Sequence, residues 1–267
     1  MNVILSDNEF QQFRAMIREI AGISMSDAKK QLISGRLAKR LQFFKLTTYG
    51  GYYRLLMKDK AELQVAVDLL TTNETYFFRE PRHFDFLKET VLPQLRGNAP
   101  VRIWSGACST GEEPFTLAMV LADNLGKRPW EILASDISAR VLDKARTGRY
   151  PLDAIKGIPD ALLNKYCLKG VGSNAGVFMV DPALASRIEF TSINLNNPLP
   201  SVGQFDVIFL RNVMIYFDNQ TKSQVVQRLL KHLKPGGYFV ISHSESLNGI
   251  TDDVQLVKPS IYRKAHA

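Results

Sequence analysis

The sequence is poor in the side chains that most often bind metals or act as general bases. Its 267 residues include only two cysteines and four histidines. The cysteines, Cys108 and Cys167, make neither a disulfide framework nor a paired ligand spacing, so a reducing, cytoplasmic setting is expected. The histidines, His83, His232, His243 and His266, are scattered, and no metal site is expected from them. No apolar run approaches the roughly 20 residues of a membrane-spanning helix, so membrane insertion is not expected. Residues 1–10 have no basic start and no apolar stretch, so no signal peptide is expected. What remains, 45% hydrophobic and 22% charged, suits a globular protein with one large and one small domain.

The most telling stretch is Arg102 to Pro114, R-I-W-S-G-A-C-S-T-G-E-E-P. A short apolar strand, Val101 to Trp104, breaks into small residues and leaves through two carboxylates into the apolar helix Phe115 to Leu125. Strand, glycine loop and helix are how an open α/β sheet presents backbone N–H groups to a ligand. Gly106 and Gly111 have P-loop spacing, but a phosphate cradle needs lysine next, and Glu112 stands there. A carboxylate facing phosphate oxygens is repulsive. The loop therefore suits a nucleoside without phosphate, unless it is an ordinary strand-to-helix turn.

Residues 1–72 read as a small all-helical unit. Ser6 and Glu9 form a capping box ahead of Phe10, Phe13, Ile17 and Ile20 at helical spacing. A second helix, about Ser26 to Phe44, carries Ile33, Leu37, Leu41 and Phe44 on one stripe, and two more cover Tyr49 to Met57 and Lys60 to Leu70. The net charge of +8 implies an acidic partner. Part of it is local, since Lys29, Arg36 and Arg40 share one helical face with Lys39 beside them. Such a run is either a solvated face or a docking surface.

Thr71 to Pro81, T-T-N-E-T-Y-F-F-R-E-P, joins this unit to the rest. Tyr76, Phe77 and Phe78 are too apolar for a solvated tether, so the connector is expected to pack down, either over a pocket or as a plain interdomain segment. A helix then begins at Pro81. Past the glycine loop, a second strand, Glu131 to Ser135, ends at Asp136, where nucleoside-binding sheets place a carboxylate for ribose hydroxyls. Residues 170–193 suggest short antiparallel strands inserted in the α/β domain, as partner site or edge decoration. Asn194-Leu195 follow. Phe205 to Leu210 is a buried central strand ending at Arg211-Asn212. Helix Gln220 to Leu233, stopped by Pro235-Gly236-Gly237, leads to strand Tyr238 to Ser242. The strand ends thus gather Gly106 to Glu112, Asp136, Asn194 and Arg211-Asn212 at one crevice.

That crevice offers carboxylates and amides but no Ser/His/Asp order and no Schiff-base lysine. His243, in S-H-S-E just past a strand, is the histidine nearest to it and reads as structural. Methyl transfer from a sulfonium needs alignment more than a base, and an acceptor carboxylate is already ionised at neutral pH.

Several motifs, in order, resemble the bacterial chemotaxis receptor methyltransferases, the CheR family. They are T-T-N-E-T-Y-F-F-R-E at Thr71, W-S-G-A-C-S-T-G-E-E-P at Trp104, A-S-D-I at Ala134, F-D-V-I-F-L-R-N-V-M-I-Y-F at Phe205, H-L-K-P-G-G at His232 and H-S-E-S at His243. The resemblance implies a small all-α domain (1–72), a packed linker or lid (73–90) and a Rossmann-like class I methyltransferase domain (91–267). An antiparallel β-subdomain is expected at about 168–193. It implies S-adenosylmethionine as methyl donor, S-adenosylhomocysteine as product and receptor glutamates as acceptors, giving methyl esters. Carried over by motif, Asn73, Thr75, Arg79, Glu112, Asp136, Asn194, Leu195, Arg211 and Asn212 bind the cofactor. Asp136 is assigned to the ribose and Glu112 to the ammonium. Arg79 and Tyr216 are the expected catalytic residues, at a carboxylate and near the sulfonium. Lys29, Arg36, Lys39 and Arg40 would face the acidic helical methylation region of a receptor. A receptor C-terminal peptide is a further candidate partner, at the β-subdomain, and the chain is expected to act as a cytoplasmic monomer. Cys108, where methyltransferase loops often have glycine, reads as a family trait rather than a reactive thiol. Two rivals are a nucleic-acid methyltransferase, disfavoured because V-M-I-Y rather than a proline pair follows Asn212, and an inactive cofactor-binding adaptor.

Overall fold

In this computed structural model the described residues are 3–266. The N-terminal unit is four helices, α1 (Asp7–Ala21), α2 (Lys30–Phe43), α3 (Tyr49–Leu56) and α4 (Lys60–Leu70). The capping box of α1 forms as expected, with Ser6 Oγ accepting from the Glu9 amide and the Glu9 side chain accepting from the Ser6 amide. Gly22 closes α1 in the left-handed conformation, φ 72°. Phe13, Ile33, Leu37 and Tyr52 meet in a core of their own and are fully buried. Residues 27–29 tighten into a 3₁₀ turn, so α2 starts later than its apolar stripe suggests.

The second domain is a seven-stranded sheet. Its strands are β1 (Val101–Gly106), β2 (Trp130–Asp136), β6 (Ile188–Ser192), β7 (Phe205–Leu210), β8 (Leu233–Val240), β9 (Val254–Lys258) and β10 (Ile261–Lys264). They lie in the order β6-β2-β1-β7-β8-β10-β9. The first five are parallel, and β10 runs antiparallel to both of its neighbours. Helix α7 (Glu112–Leu125) packs Phe115, Leu117 and Leu121 on one face, and α9 (Asn219–Leu230) packs Val225, Val226 and Leu229 on the other. This is the Rossmann-like arrangement expected, with helices on both faces of a mostly parallel sheet.

The small antiparallel sheet exists, but its limits differ from the expectation. It consists of β3 (Arg149–Pro151), β4 (Cys167–Lys169) and β5 (Val177–Val180), in the order β3-β5-β4. It begins directly after α8 (Ala139–Thr147), and residues 188–192 belong to the main sheet instead. As an edge strand, β6 is covered on one side only, and its half-polar sequence resembles that of an antiparallel strand. The run Pro235-Gly236-Gly237 lies inside β8 rather than ending a helix. It forms a bulge, since Phe205 pairs with Leu233 but Val207 with Tyr238, and Gly236 takes φ 71°. The β9–β10 hairpin was not anticipated at all.

The linker packs down by two of its three aromatics. Phe77 is fully buried against Tyr150 and Phe178, and the Phe78 amide donates to Thr116 Oγ1 at 3.1 Å. Gly157 comes so close to this turn that a Cβ there would stand 2.2 Å from the Phe77 carbonyl oxygen. Tyr76 departs from the expectation and is 53% exposed. After Pro81, α5 (Arg82–Phe86) passes through a π-helical turn, Leu87–Val91, into the short α6 (Leu92–Gln94).

Candidate active site

The crevice lies where the carboxyl ends of β1, β2 and β7 meet the linker and the N-terminal helices. Strain marks the place. Phe78, Glu80, Ala107, Ser109 and Asn212 all have positive φ without being glycine, at 50–58°. Gly111, at φ 96°, is required for a second reason: a Cβ would stand 2.9 Å from both the Ala145 methyl and the Tyr150 hydroxyl.

Asn73, Thr75, Arg79, Asp136, Asn194, Leu195, Arg211, Asn212 and Tyr216 all line one cavity. Glu112 does not. Its carboxylate turns back to accept from Thr110 Oγ1 at 2.7 Å, while Tyr150 donates to the Thr110 carbonyl. The neighbouring Glu113 lines the cavity, a residue that sequence reasoning passed over. One helical step separates the two carboxylates by about 100°, which pattern alone does not resolve.

Asp136 ends β2 and is held by its own loop. Its two oxygens accept from the Ser109 and Ser138 amides, each at 2.9 Å, which orients the carboxylate toward the cavity. Burial pushes its pKa up, and those amide bonds pull it back. Burial likewise raises Glu113, against which the Arg211 charge acts.

The two arginines of the cavity differ in kind. Arg211, 6% exposed, bonds to Glu113 at 3.0 Å, lies 3.3 Å from Glu80, donates to the Arg79 carbonyl and rests over the Phe84 ring. Arg79 donates to the Glu74 carbonyl at 2.7 Å and lies over Tyr76, and among the described residues no carboxylate pairs with it.

Asn194 spends its amide on the domain seam, donating to the Ile20 carbonyl at 2.6 Å. The Ser24 amide donates to the Tyr216 carbonyl at 2.7 Å, and Ile23 bridges to Phe217. The helical domain thus supplies one wall of the cavity, including Ala21 and Ile23.

The basic face of α2 requires a correction. Arg40 donates twice to Glu62, which is 5% exposed and also accepts from Tyr52. Arg36 donates to the Leu70 and Thr71 carbonyls and to Thr72 Oγ1, so it pins the start of the linker. Both guanidiniums are committed inside the chain, and Lys29 and Lys39 are the exposed members of the face.

The histidines also differ from the expectation of scatter. Glu80, His83 and His243 converge beside Arg211, although none of the three lines the cavity. The spacing E-P-R-H at Glu80 was the available signal. Burial, then the Arg211 and His243 charges, push the His83 pKa down to about 3.

Comparison with known proteins fits this geometry. The CheR methyltransferase all-alpha domain matches residues 8–71, and the CheR methyltransferase SAM binding domain matches residues 73–263. The chain belongs to the CheR methyltransferase family. The strands whose ends form this crevice, β1, β2 and β7, all lie within the matched S-adenosylmethionine (SAM) binding domain. Chemotaxis protein methyltransferase 2 of Pseudomonas aeruginosa is 41% identical over 260 residues, 96% of this chain and 93% of that protein. The chemotaxis protein methyltransferases of Salmonella typhimurium and Escherichia coli are 40% and 39% identical over 263 residues. Each alignment covers 97% of this chain, with 90% and 91% of those proteins. Among the described residues, no helix of this CheR-family chain is long and apolar enough to cross a membrane.

Proposed function

We propose that this chain transfers a methyl group from SAM to glutamate side-chain carboxylates of chemoreceptors, forming glutamyl methyl esters and S-adenosylhomocysteine. The observation that carries the reading is Arg79, a cavity cation without a carboxylate partner among the described residues. A guanidinium in that state is ready for charge-assisted bonds to an incoming carboxylate, whether the methionyl group of SAM or the acceptor itself.

The donor set suits SAM. Asp136 presents a preoriented acceptor for ribose hydroxyls, and Cys108, Ile137 and Leu195 give an apolar slot for a purine. Asn73, Thr75 and Asn212 add polar contacts from the linker and from the end of β7. Glu112 acts through the loop it braces, as a positioning residue. Bound SAM supplies an electrophilic methyl group on a sulfonium. The protein's part is alignment: Tyr216 stands at the cavity wall, and Arg211, fixed by Glu113, holds the linker carbonyl at Arg79 in place. No histidine lines the cavity among the described residues, which favours an acceptor already ionised at neutral pH.

Lys29 and Lys39 are the candidate contacts for an acidic receptor helix. A receptor C-terminal peptide would add to the β-subdomain, where β4 is an edge strand and Leu168 and Val171 are exposed. Action as a cytoplasmic monomer completes the reading. The test is labelled methyl transfer from SAM to receptor-bearing membranes, with DNA and RNA as alternatives. Alkali-labile label on the receptor is expected; alkali-stable label, or label on nucleic acid, contradicts it.

A further inference from the structure

Three side chains that the cofactor crevice does not use converge behind it. Glu80 closes the linker, His83 sits on the first turn of α5, and His243 follows β8. One ligand atom from each lies within 4.8 Å of the other two. His83 is 1% exposed, whereas His243 is exposed, and their rings meet edge to face with centroids 4.6 Å apart.

Counting hydrogens shows what the cluster lacks. Ser260 Oγ donates its one hydrogen to the Pro259 carbonyl at 2.5 Å. His83 Nε2 lies 2.7 Å from that same oxygen, and with the Ser260 hydrogen so directed the ring donates there and Nε2 carries the proton. In a neutral imidazole Nδ1 is then a bare acceptor. It is buried and has no hydrogen-bond partner among the described residues. Facing it at 3.4 Å is another acceptor, Glu80 Oε2. Two acceptors so placed repel, although Glu80 is only half-buried and its Oε2 also accepts from the His243 amide at 3.3 Å. An unpartnered buried atom such as His83 Nδ1 is uncommon in proteins. A cation between them converts the repulsion into coordination.

We propose that Glu80, His83 and His243 form a binding site for a transition-metal cation of the zinc class. The 3.4 Å between His83 Nδ1 and Glu80 Oε2 is the edge of a tetrahedron whose metal bonds are about 2.0–2.1 Å. Imidazole and carboxylate donors favour zinc and its neighbours over magnesium or calcium. The outer support is present too, because the His83 Nε2–H bond to Ser260 fixes the ring orientation. Ser260 is itself held at φ 63° to receive it. His243, being exposed, has the freedom to turn inward and complete three protein ligands, with the fourth position open.

One feature of the site opposes the metal. Arg211 stands 3.3 Å from Glu80 Oε2, so a guanidinium is close to the cation. Arg211 keeps Glu113 as its other counter-ion at 3.0 Å, which lets Glu80 be shared. That repulsion weakens the affinity. It also links the site to the crevice, since Glu80 contacts both Arg211 and Asn212 of the cavity wall.

The test is titration of zinc chloride into the full chain in competition with a chromophoric chelator. One bound equivalent is expected for the wild type. His243→Ala and Glu80→Gln should each weaken binding at least tenfold, and His266→Ala should not. Melting curves in the presence of excess chelator should coincide for His243→Ala and wild type, because that side chain is exposed. Zinc bound by the wild type no more tightly than by His243→Ala overturns the proposal.

Discussion

Two regions of this molecule collect charge, the basic face of α2 and the crevice at the strand ends, and they use it in opposite ways. On α2, Arg36 and Arg40 have every obvious partner inside the chain: main-chain carbonyls of the linker for one, the buried Glu62 for the other. In the crevice, Arg79 faces the cavity with one carbonyl bond and no carboxylate among the described residues, while Arg211 beside it is paired with both Glu113 and Glu80. A cation's place in the sequence shows where charge lies. Whether that charge is available depends on which partners the fold brings to it.

The contrast can be broken or sharpened by mutation. The largest stability effect is expected at Arg40→Ala, which strands a carboxylate on the 5% exposed Glu62. Breaking such a pair costs roughly 3–5 kcal/mol when buried, and the lower end applies because Arg40 is partly exposed. Thermal melting should show the loss, and turnover per folded molecule should stay near wild type. A stable Arg40→Ala protein with weakened receptor methylation would return Arg40 to the docking surface.

Asp136→Asn comes next. It removes the charge and one acceptor from a carboxylate oriented by two amides, so cofactor binding should weaken by about 10- to 100-fold, or roughly 1.5–3 kcal/mol. Calorimetric titration with S-adenosylhomocysteine reads this directly. Unchanged affinity would remove Asp136 from the site.

Lys29→Glu with Lys39→Glu should raise KM for receptor only several-fold, on the order of 1 kcal/mol, because exposed charges are screened. The effect should fade as salt is added. An effect indifferent to salt would point away from electrostatic docking.

The smallest effect concerns the thiols. Burial pushes the Cys108 thiol well up, and it pushes Cys167 up to about 11. Both are therefore thiols, not thiolates, at neutral pH. Peptide mapping after brief alkylation should find Cys108 unmodified and Cys167 slowly modified, with the Cys167 rate still rising above pH 9. Fast modification of Cys108 at pH 7 would give the loop a reactive thiol after all.

Much of this arrangement was legible because it is local. The Ser6–Glu9 capping box spans four residues, the glycine loop follows its strand directly, and Asp136 ends the next one. Phe77 and Phe78 announced a packed linker by composition alone. What escaped depends on distant partners. Nothing near Arg40 signals Glu62, 22 residues away, and Glu113 differs from Glu112 by a rotation of the helix that only packing decides. The edge strand β6 looked antiparallel because an edge position is half polar. The cluster of Glu80, His83 and His243 needs a contact across 160 residues, and the E-P-R-H spacing at Glu80 shows only its local half.

The measurement that bears most directly on the central contrast is methyl transfer by Arg79→Ala, set beside its melting curve. Losing a positioning contact at the reacting groups typically costs about 100-fold or more in rate. The structure predicts that loss with the melting temperature unchanged, since Arg79 makes one carbonyl bond and no ion pair among the described residues. Near-normal turnover by a folded Arg79→Ala protein would contradict the account.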